Sequence, residues 1–364
     1  MTACDERYMA MALALAERGL GTVWPNPAVG CVLVKDGRVV GRGWTQPGGR
    51  PHAEMEAIAR AGEAARGSTA YVTLEPCAHH GRTPPCTDLM LAAGIARAVV
   101  AAVDPDPRVD GKGIALLRAG AVEVAVGCLE AEARQLNAGF LSRLCRRRPF
   151  VALKLATSAD GRIATAGGES MWITGVAARA EGHRLRHRHD AILVGSGTVL
   201  ADDPMLTCRL PGLEERSPVR VVLDRRLRLL AGSKLARSAA TGPVWLFTAD
   251  PAAPAAEALA EAGVVVYALP ATDAPGQLAA MLAVLAELGI TRLLVEGGAA
   301  VATSFLRAGL VDRIHLFAAP LLLGGDAEPA LGPLGVQRLA DAPSWRPVEG
   351  RSVGGDRLLV LEPG

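Results

Sequence analysis

Apolar positions along the chain fall into two alternating periods. Residues 7–18 repeat at helical spacing, and 28–34 and 38–44 are apolar runs of strand length joined by Lys35-Asp36-Gly37, a hairpin signal. The spacing then predicts a helix over 52–65, a strand over 69–74, a helix over 87–93, strands over 96–103 and 122–126, and one helix over 129–144. Such alternation predicts an α/β domain with helices layered on a sheet. The pattern breaks at CRRRP (145–149), which reads as a solvated linker, with an anionic partner as the alternative. A second α/β domain begins at a strand over 150–156. It continues through strands at 191–194, 219–223, 244–247, 264–268, 293–295, 314–318 and 357–361, with helices at 176–188, 255–262, 277–288 and 300–308. The expected domains are 1–147 and 148–364, and no internal repeat is visible.

Composition narrows the choice of function. Of the 364 residues 50% are hydrophobic and 21% charged, enough for packed cores, and only 4% are aromatic, so those cores should be aliphatic. The formal net charge of +2 offers no general case for binding nucleic acid or a membrane surface. No stretch reaches the length of apolar sequence a spanning helix needs. Seven cysteines are an odd number spread over a long chain, which argues against a disulfide scaffold. The first residues, MTACDERYMA, carry acidic groups where a signal peptide would carry basic ones. A cytoplasmic setting is therefore expected, in which clustered cysteines read as metal or catalytic sites.

One such cluster stands in the first half. His52-Ala53-Glu54 opens the second helix, Pro76-Cys77 follows a strand, and Cys86 follows Pro84-Pro85. One His and two Cys make three zinc ligands and leave the fourth tetrahedral position to water, whose pKa zinc lowers to about 7. Glu54 can reach that water without binding the metal and can shuttle protons to a leaving amine. The pattern is that of the zinc nucleobase deaminases, except that eight residues rather than two separate the cysteines. The alternative is a structural zinc site in a binding module, which predicts no solvent ligand and indifference to Glu54.

With TLEPCAHHGRTPPC (73–86), PNPAVGCVLVKDG (25–37) and PHAE (51–54), the chain resembles the bacterial bifunctional riboflavin-biosynthesis deaminase–reductases, in which a long loop between the cysteines is usual. The resemblance implies zinc on His52, Cys77 and Cys86, with Glu54 as proton donor. It also implies substrate contacts at Asn26, His79, Arg82 and Asp104, Arg82 suiting a ribose phosphate. Thr45 stands where a His is usual and Asp106 where an Asn is usual, so no contact is assigned to either.

The second half offers VEGGAAVATSFL (295–306), a strand, a Gly297-Gly298 turn and a helix whose exposed N–H groups can hold a phosphate. It is not the G-x-G-x-x-G fingerprint, so no Rossmann fold is expected. Together with KLATSADGRIAT (154–165), GESMWITG (168–175) and ILVGSGTVLADDPMLTCR (192–209) it resembles the reductase half of the same family. The implied fold is α/β: a cytidine-deaminase-like domain followed by a dihydrofolate-reductase-like domain. The resemblance implies NADPH contacts at Ala156, Trp172, Thr198, Asp202, Gly298, Ala299, Ala300, Val301, Ala302, Thr303 and Ser304. Substrate contacts would fall on Ser170, Arg186, Leu206, Arg209 and Glu296. Arginines after Asp224 read either as recognition of the cofactor's 2′-phosphate or as a solvated face. The implied reactions are deamination of 2,5-diamino-6-ribosylamino-4(3H)-pyrimidinone 5′-phosphate and NADPH reduction of the ribosyl group of the product to ribityl. The expected partner is a small phosphorylated pyrimidine, not nucleic acid or membrane, and the protein is expected to be a homo-oligomer, dimer or tetramer.

Overall fold

The hairpin expected at Lys35-Asp36-Gly37 joins strands β1 (Gly30–Lys35) and β2 (Arg38–Trp44) in the computed structural model, with Asp36 and Gly37 both at positive φ as a tight hairpin requires. The structure describes residues 1–79 and 84–364. They divide into two units, Met1–Arg147 and Arg148–Gly364.

In the first unit, helix α1 (Ala3–Ala16) precedes the hairpin. Its amino end is a capping box in which Thr2 and Asp5 each accept the other's backbone N–H. After the hairpin come α2 (Ala53–Ala61), β3 (Thr69–Val72), α3 (Cys86–Ala92), β4 (Arg97–Val100), α4 (Lys112–Ala119), β5 (Glu123–Val126), α5 (Glu130–Leu136) and α6 (Ala138–Arg146). The sheet order is β2-β1-β3-β4-β5, antiparallel across the first three strands and parallel from β3 to β5.

Glycines fix how the helices lie on this sheet. A β-carbon on Gly43 would sit 2.0 Å from the Ala53 carbonyl oxygen, and one on Gly41 would sit 2.3 Å from that of Ala57. The backbone of α2 therefore rests directly on β2. Gly30 meets α1 in the same way, 1.9 Å from the Ala12 carbonyl. Cys31 pairs with Gly43, so Gly30 faces the opposite side, and α1 and α2 cover opposite faces.

The second unit is built on β6 (Phe150–Ser158), β7 (Arg162–Ala164), α7 (Val176–His187), β8 (Ala191–Gly195), α8 (Ser196–Asp202), β9 (Val219–Leu223) and α9 (Lys234–Arg237). It continues through β10 (Val244–Thr248), α10 (Pro254–Glu261), β11 (Val265–Ala268), α11 (Ala274–Glu287), β12 (Arg292–Glu296), α12 (Ala299–Arg307), β13 (Arg313–Ala319), β14 (Glu328–Pro329), β15 (Trp345–Val353) and β16 (Asp356–Pro363). Nine strands form one sheet in the order β11-β10-β9-β8-β12-β6-β13-β16-β15. It is parallel from β11 to β13 and antiparallel across the last two pairs. The parallel strands are near-continuous apolar runs, as burial on both faces demands.

Several elements depart from the sequence expectation for local reasons. The single helix expected over 129–144 breaks at Asn137, whose side chain leaves the helix to pair with the backbone of Ala28. Residues 196–202 form α8, which has no counterpart among the expected elements beyond the strand at 191–194, because Ser196-Gly197 hides the helical period. Strand β15 is a solvent-exposed edge rich in Arg and Glu, with Pro347 at a register shift, so no apolar alternation announces it. Helix α4 has no counterpart in the sequence reading. No helix among the described residues is long and apolar enough to cross a membrane.

Gly43→Ala should destabilise the protein by about 2 kcal/mol, the usual cost of forcing a methyl into a packed backbone contact. Chemical unfolding of the full-length variant measures the loss.

Candidate active sites

His52 is the cap residue of α2, but its side chain makes no capping bond, so the ring is left for other work. Cys77 lies in the loop beyond β3, and Cys86 is the first residue of α3, where a helix amino terminus favours a thiolate. These three converge. His52 Nδ1 is 3.3 Å from Cys86 Sγ and 3.7 Å from Cys77 Sγ, and the Cys86 backbone N–H donates to Cys77 Sγ at 3.3 Å. All three ligand atoms lie within 4.8 Å of one another. Ligands bound to a tetrahedral metal at 2.0–2.3 Å stand roughly 3.5–3.8 Å apart, so the donor set fits a thiophilic cation. Hydrogen bonds from Cys86 and His52 hold the Cys77 thiol down to about 4, while Cys86 keeps the shared proton and is pushed well above the ordinary thiol range. Two sulfurs so close ionise together only around a cation.

Glu54, in the first turn of α2, is 4% exposed and within hydrogen-bonding reach of the Cys86 thiol. Burial raises its proton affinity above that of an ordinary carboxylate. His52, Glu54 and Cys77 line a cavity of about 340 Å³ together with Asn26, His79 and Asp104. Thus five residues expected in one site share one cavity with Cys77 at its wall, and Cys86 lies buried behind it. Arg82 lies outside the described residues.

The sequence reading misses Glu75, which also lines the cavity. Its carboxylate accepts the backbone N–H groups of Asp104, Gly111 and Ile114, and so fastens the 104–114 segment beside Cys77. The Glu-Pro-Cys run is the signal that could have found it. Gly113 packs against the same loop, since a β-carbon there would lie 2.1 Å from the Pro76 carbonyl. Burial, with Asp106 and Glu75 nearby, lifts the Asp104 carboxyl to about 6. The two positions left unassigned, Thr45 and Asp106, both line the cavity. Thr45 Oγ1 accepts the Val29 N–H, and Asp106 is bound by the Arg108 guanidinium.

In the second unit Glu296 ends β12, the usual place for site residues in a parallel sheet. Both its oxygens are held by Arg186 of α7, Nε and Nη2 each donating at 2.9 Å. Lys154 Nζ is 4.0 Å away. The third arm of Arg186 donates to the Thr207 carbonyl, which ties the segment carrying Leu206 and Arg209 to the pair. Arg209 donates its backbone N–H to His183, whose proton affinity burial and the neighbouring arginines depress to about 4. The Leu206 side chain is buried in the core, whereas Ser170 and Arg209 are exposed.

A separate cavity of about 330 Å³ lies beyond the ends of β8 and β9 and against α12. Ala300, Val301 and Ser304 line it, and Thr198 Oγ1 accepts the N–H of Gly298, the α12 cap residue. Gly195 lets Val301 approach, since a β-carbon there would sit 2.6 Å from its Cγ2. Ala302 and Thr303 are buried and point into the unit, Thr303 bonding Ala299 and Gly332. Ala299 is half-buried at the helix start. Ala156, Trp172 and Asp202 do not line this cavity. Ala156 packs beside the Phe317 cluster, Asp202 is exposed at the end of α8, and Trp172 is exposed with the Arg179 guanidinium 4.5 Å above its ring. Arg225, Arg226 and Arg228 do line it, with Arg228 anchored to Ser196 Oγ.

Comparison with known proteins covers both units. Residues 2–102 match the cytidine and deoxycytidylate deaminase zinc-binding region, and residues 149–359 match the RibD C-terminal domain. The chain is 44% identical to riboflavin biosynthesis protein RibD of Escherichia coli, covering 98% of this chain and 99% of that one. It is 42% identical to the RibD of Aquifex aeolicus, covering 98% of each. Among solved structures, Acinetobacter baumannii RibD aligns with a TM-score of 0.90 at 39% identity over 99% of both chains. A Thermotoga maritima diaminohydroxyphosphoribosylaminopyrimidine deaminase/5-amino-6-(5-phosphoribosylamino)uracil reductase aligns at 0.88 and 37%, again over 99% of both.

The Arg186 pair depresses the Glu296 carboxyl to about 2. A carboxylate lowered on folding stabilises the fold above its unfolded pKa, and that contribution is lost as the pH falls from about 4.5 to 2. Glu296→Gln should therefore cost about 3 kcal/mol at pH 7 and flatten the acid limb of the stability profile. Chemical unfolding across this pH range is the measurement.

Proposed function

The chain belongs to the RibD family, the bifunctional deaminase–reductases of riboflavin biosynthesis, and from that premise we propose how its residues divide the two reactions. The deaminase domain carries a metal and the reductase domain takes a nucleotide cofactor. We take the metal to be zinc, held by His52, Cys77 and Cys86, and the cofactor to be NADPH. The boundary between the domains is read at 147/148.

The first substrate is 2,5-diamino-6-ribosylamino-4(3H)-pyrimidinone 5′-phosphate. Zinc, when bound, supplies activated water at neutral pH. Glu54 accepts the water proton as the oxygen adds to the ring carbon bearing the 2-amino group. It then returns protons to the ring nitrogen and the departing amine, so that ammonia leaves and a carbonyl remains. A buried carboxyl with raised proton affinity suits this exchange. Asn26, His79 and Asp104 orient the ring and its ribose from the cavity wall. The observation that carries the reading is the convergence of one imidazole, two thiols and a buried, non-ligating carboxyl in a single cavity.

In the second reaction the ribosyl group of 5-amino-6-(5-phosphoribosylamino)uracil is reduced to ribityl. NADPH, when bound, supplies the hydride for C1′. Arg186 and Arg209 bind the substrate's anionic end, Glu296 fixes Arg186, and the α12 amino terminus with Thr198 and Ser304 receives the cofactor phosphates. The cavity-lining Arg225, Arg226 and Arg228 support NADPH over NADH, because a 2′-phosphate needs such cations.

Incubated with the pyrimidine substrate, the zinc-loaded protein should convert it to a product about 1 Da heavier by mass balance, and addition of NADPH should add about 2 Da more. Glu54→Gln should slow the first conversion by roughly 10²–10⁴-fold. A variant that deaminates at the wild-type rate removes Glu54 from the mechanism.

A further inference from the structure

We propose that His183 is a positioning residue of the reductase site: its imidazole accepts the main-chain N–H of Arg209 and so aims that arginine at the anionic end of the substrate, an inference that rests on the reading above of Arg209 as a substrate ligand. The segment leading to Arg209 is fixed from inside the fold. Leu206 is buried in the core at a φ of 55°, a conformation that a leucine adopts only where its surroundings dictate it. Cys208 is buried as well. Its N–H donates to Ser217 Oγ at 3.0 Å, and its thiol donates to the His183 carbonyl at 3.5 Å.

The side chain of Arg209 is exposed, and just beyond it the chain turns, with the Leu213 N–H on the Leu210 carbonyl. Between the buried segment and that turn, the Arg209 N–H donates to His183 Nδ1 at 3.3 Å. His183 and Arg186 stand three residues apart on α7, so one face of the helix meets residues 207–209. Arg186 donates to Thr207 and to both oxygens of Glu296, one bond from each of its three nitrogens. With that guanidinium so engaged, the grip on an anion depends on where Arg209 points.

An imidazole can do this work only while Nδ1 keeps its lone pair. Burial, then Arg186 and Arg209, hold the proton affinity of His183 down to about 4, against the pull of Glu296. At neutral pH the ring therefore carries its one proton on Nε2 and accepts through Nδ1. His183 thus serves the site as an acceptor for the main chain of a cation, and not as a third cation beside the two arginines.

The test uses full-length protein and steady-state reduction of 5-amino-6-(5-phosphoribosylamino)uracil at saturating NADPH. The amide oxygen of an asparagine stands where the imidazole Nδ1 stands, whereas that of a glutamine reaches the place of Nε2. His183→Asn should therefore keep KM within about twofold of wild type, while His183→Gln and His183→Leu should raise it roughly 10-fold with little change in kcat. Arg209→Ala should raise KM further, by roughly 10²-fold. Thermal unfolding and NADPH affinity of the same preparations report folding. If the leucine variant does not fold, the glutamine variant set against the asparagine variant carries the test. Folded glutamine and leucine variants with the wild-type KM, beside an Arg209→Ala that has lost affinity, overturn the inference and leave the reading of Arg209 intact. An asparagine variant as impaired as the other two also overturns it, because the ring then acts by its volume and not by its acceptor nitrogen. An Arg209→Ala with the wild-type KM overturns the reading of Arg209 as a substrate ligand, and this inference with it.

Discussion

An ionisable group taken out of water without a partner costs several kcal/mol, a large fraction of what holds a domain folded. Both sites are arranged around that cost. In the first unit an imidazole, two thiols and a carboxyl are drawn together at the junctions of strands and helices, where they satisfy one another only in part. A cation among the sulfurs removes the conflict, and the same burial leaves Glu54 ready to hold a proton. In the second unit, Glu296 and Arg186 meet the cost by a two-pronged ion pair whose third arm fastens a loop. The remainder of each unit is scaffold that brings these groups to one place.

The scaffold achieves this through close backbone contact rather than bulk. Gly41 and Gly43 let α2 lie on β2, which sets where His52 and Glu54 emerge. Glu75 anchors the opposite wall through three backbone N–H groups. In the second unit Gly195 admits Val301 and thereby sets α12 against β8. A chain with 4% aromatic residues can pack this way, because small side chains leave backbones close together.

The alternation of helix and strand, the hairpin and the His-Ala-Glu/Cys/Cys set are legible in the sequence because each has a local period or a fixed residue chemistry. Asn137 and Glu75 are not, because their work is done on backbone groups 29 to 109 residues away and no local pattern encodes that. Helix α8 is masked by a glycine in its first turn, and edge strand β15 by its exposure. The contacts proposed for the reductase half are legible only through resemblance. The structure gathers Ala300, Val301 and Ser304 at one cavity and Arg186 and Glu296 at another point, while Ala302 and Thr303 turn inward. The near-neutral net charge is consistent with this economy, since a small phosphorylated ligand needs a few placed arginines and not a basic surface.

The central claim is that the buried donors of the first unit serve one catalytic metal with an open position. X-ray absorption at the metal edge of zinc-loaded, full-length protein tests it most directly. The account predicts two sulfurs at about 2.3 Å and two lighter atoms at about 2.0 Å, one from His52 and one from solvent. A shell of three or four sulfurs, or one closed entirely by protein ligands, would contradict it.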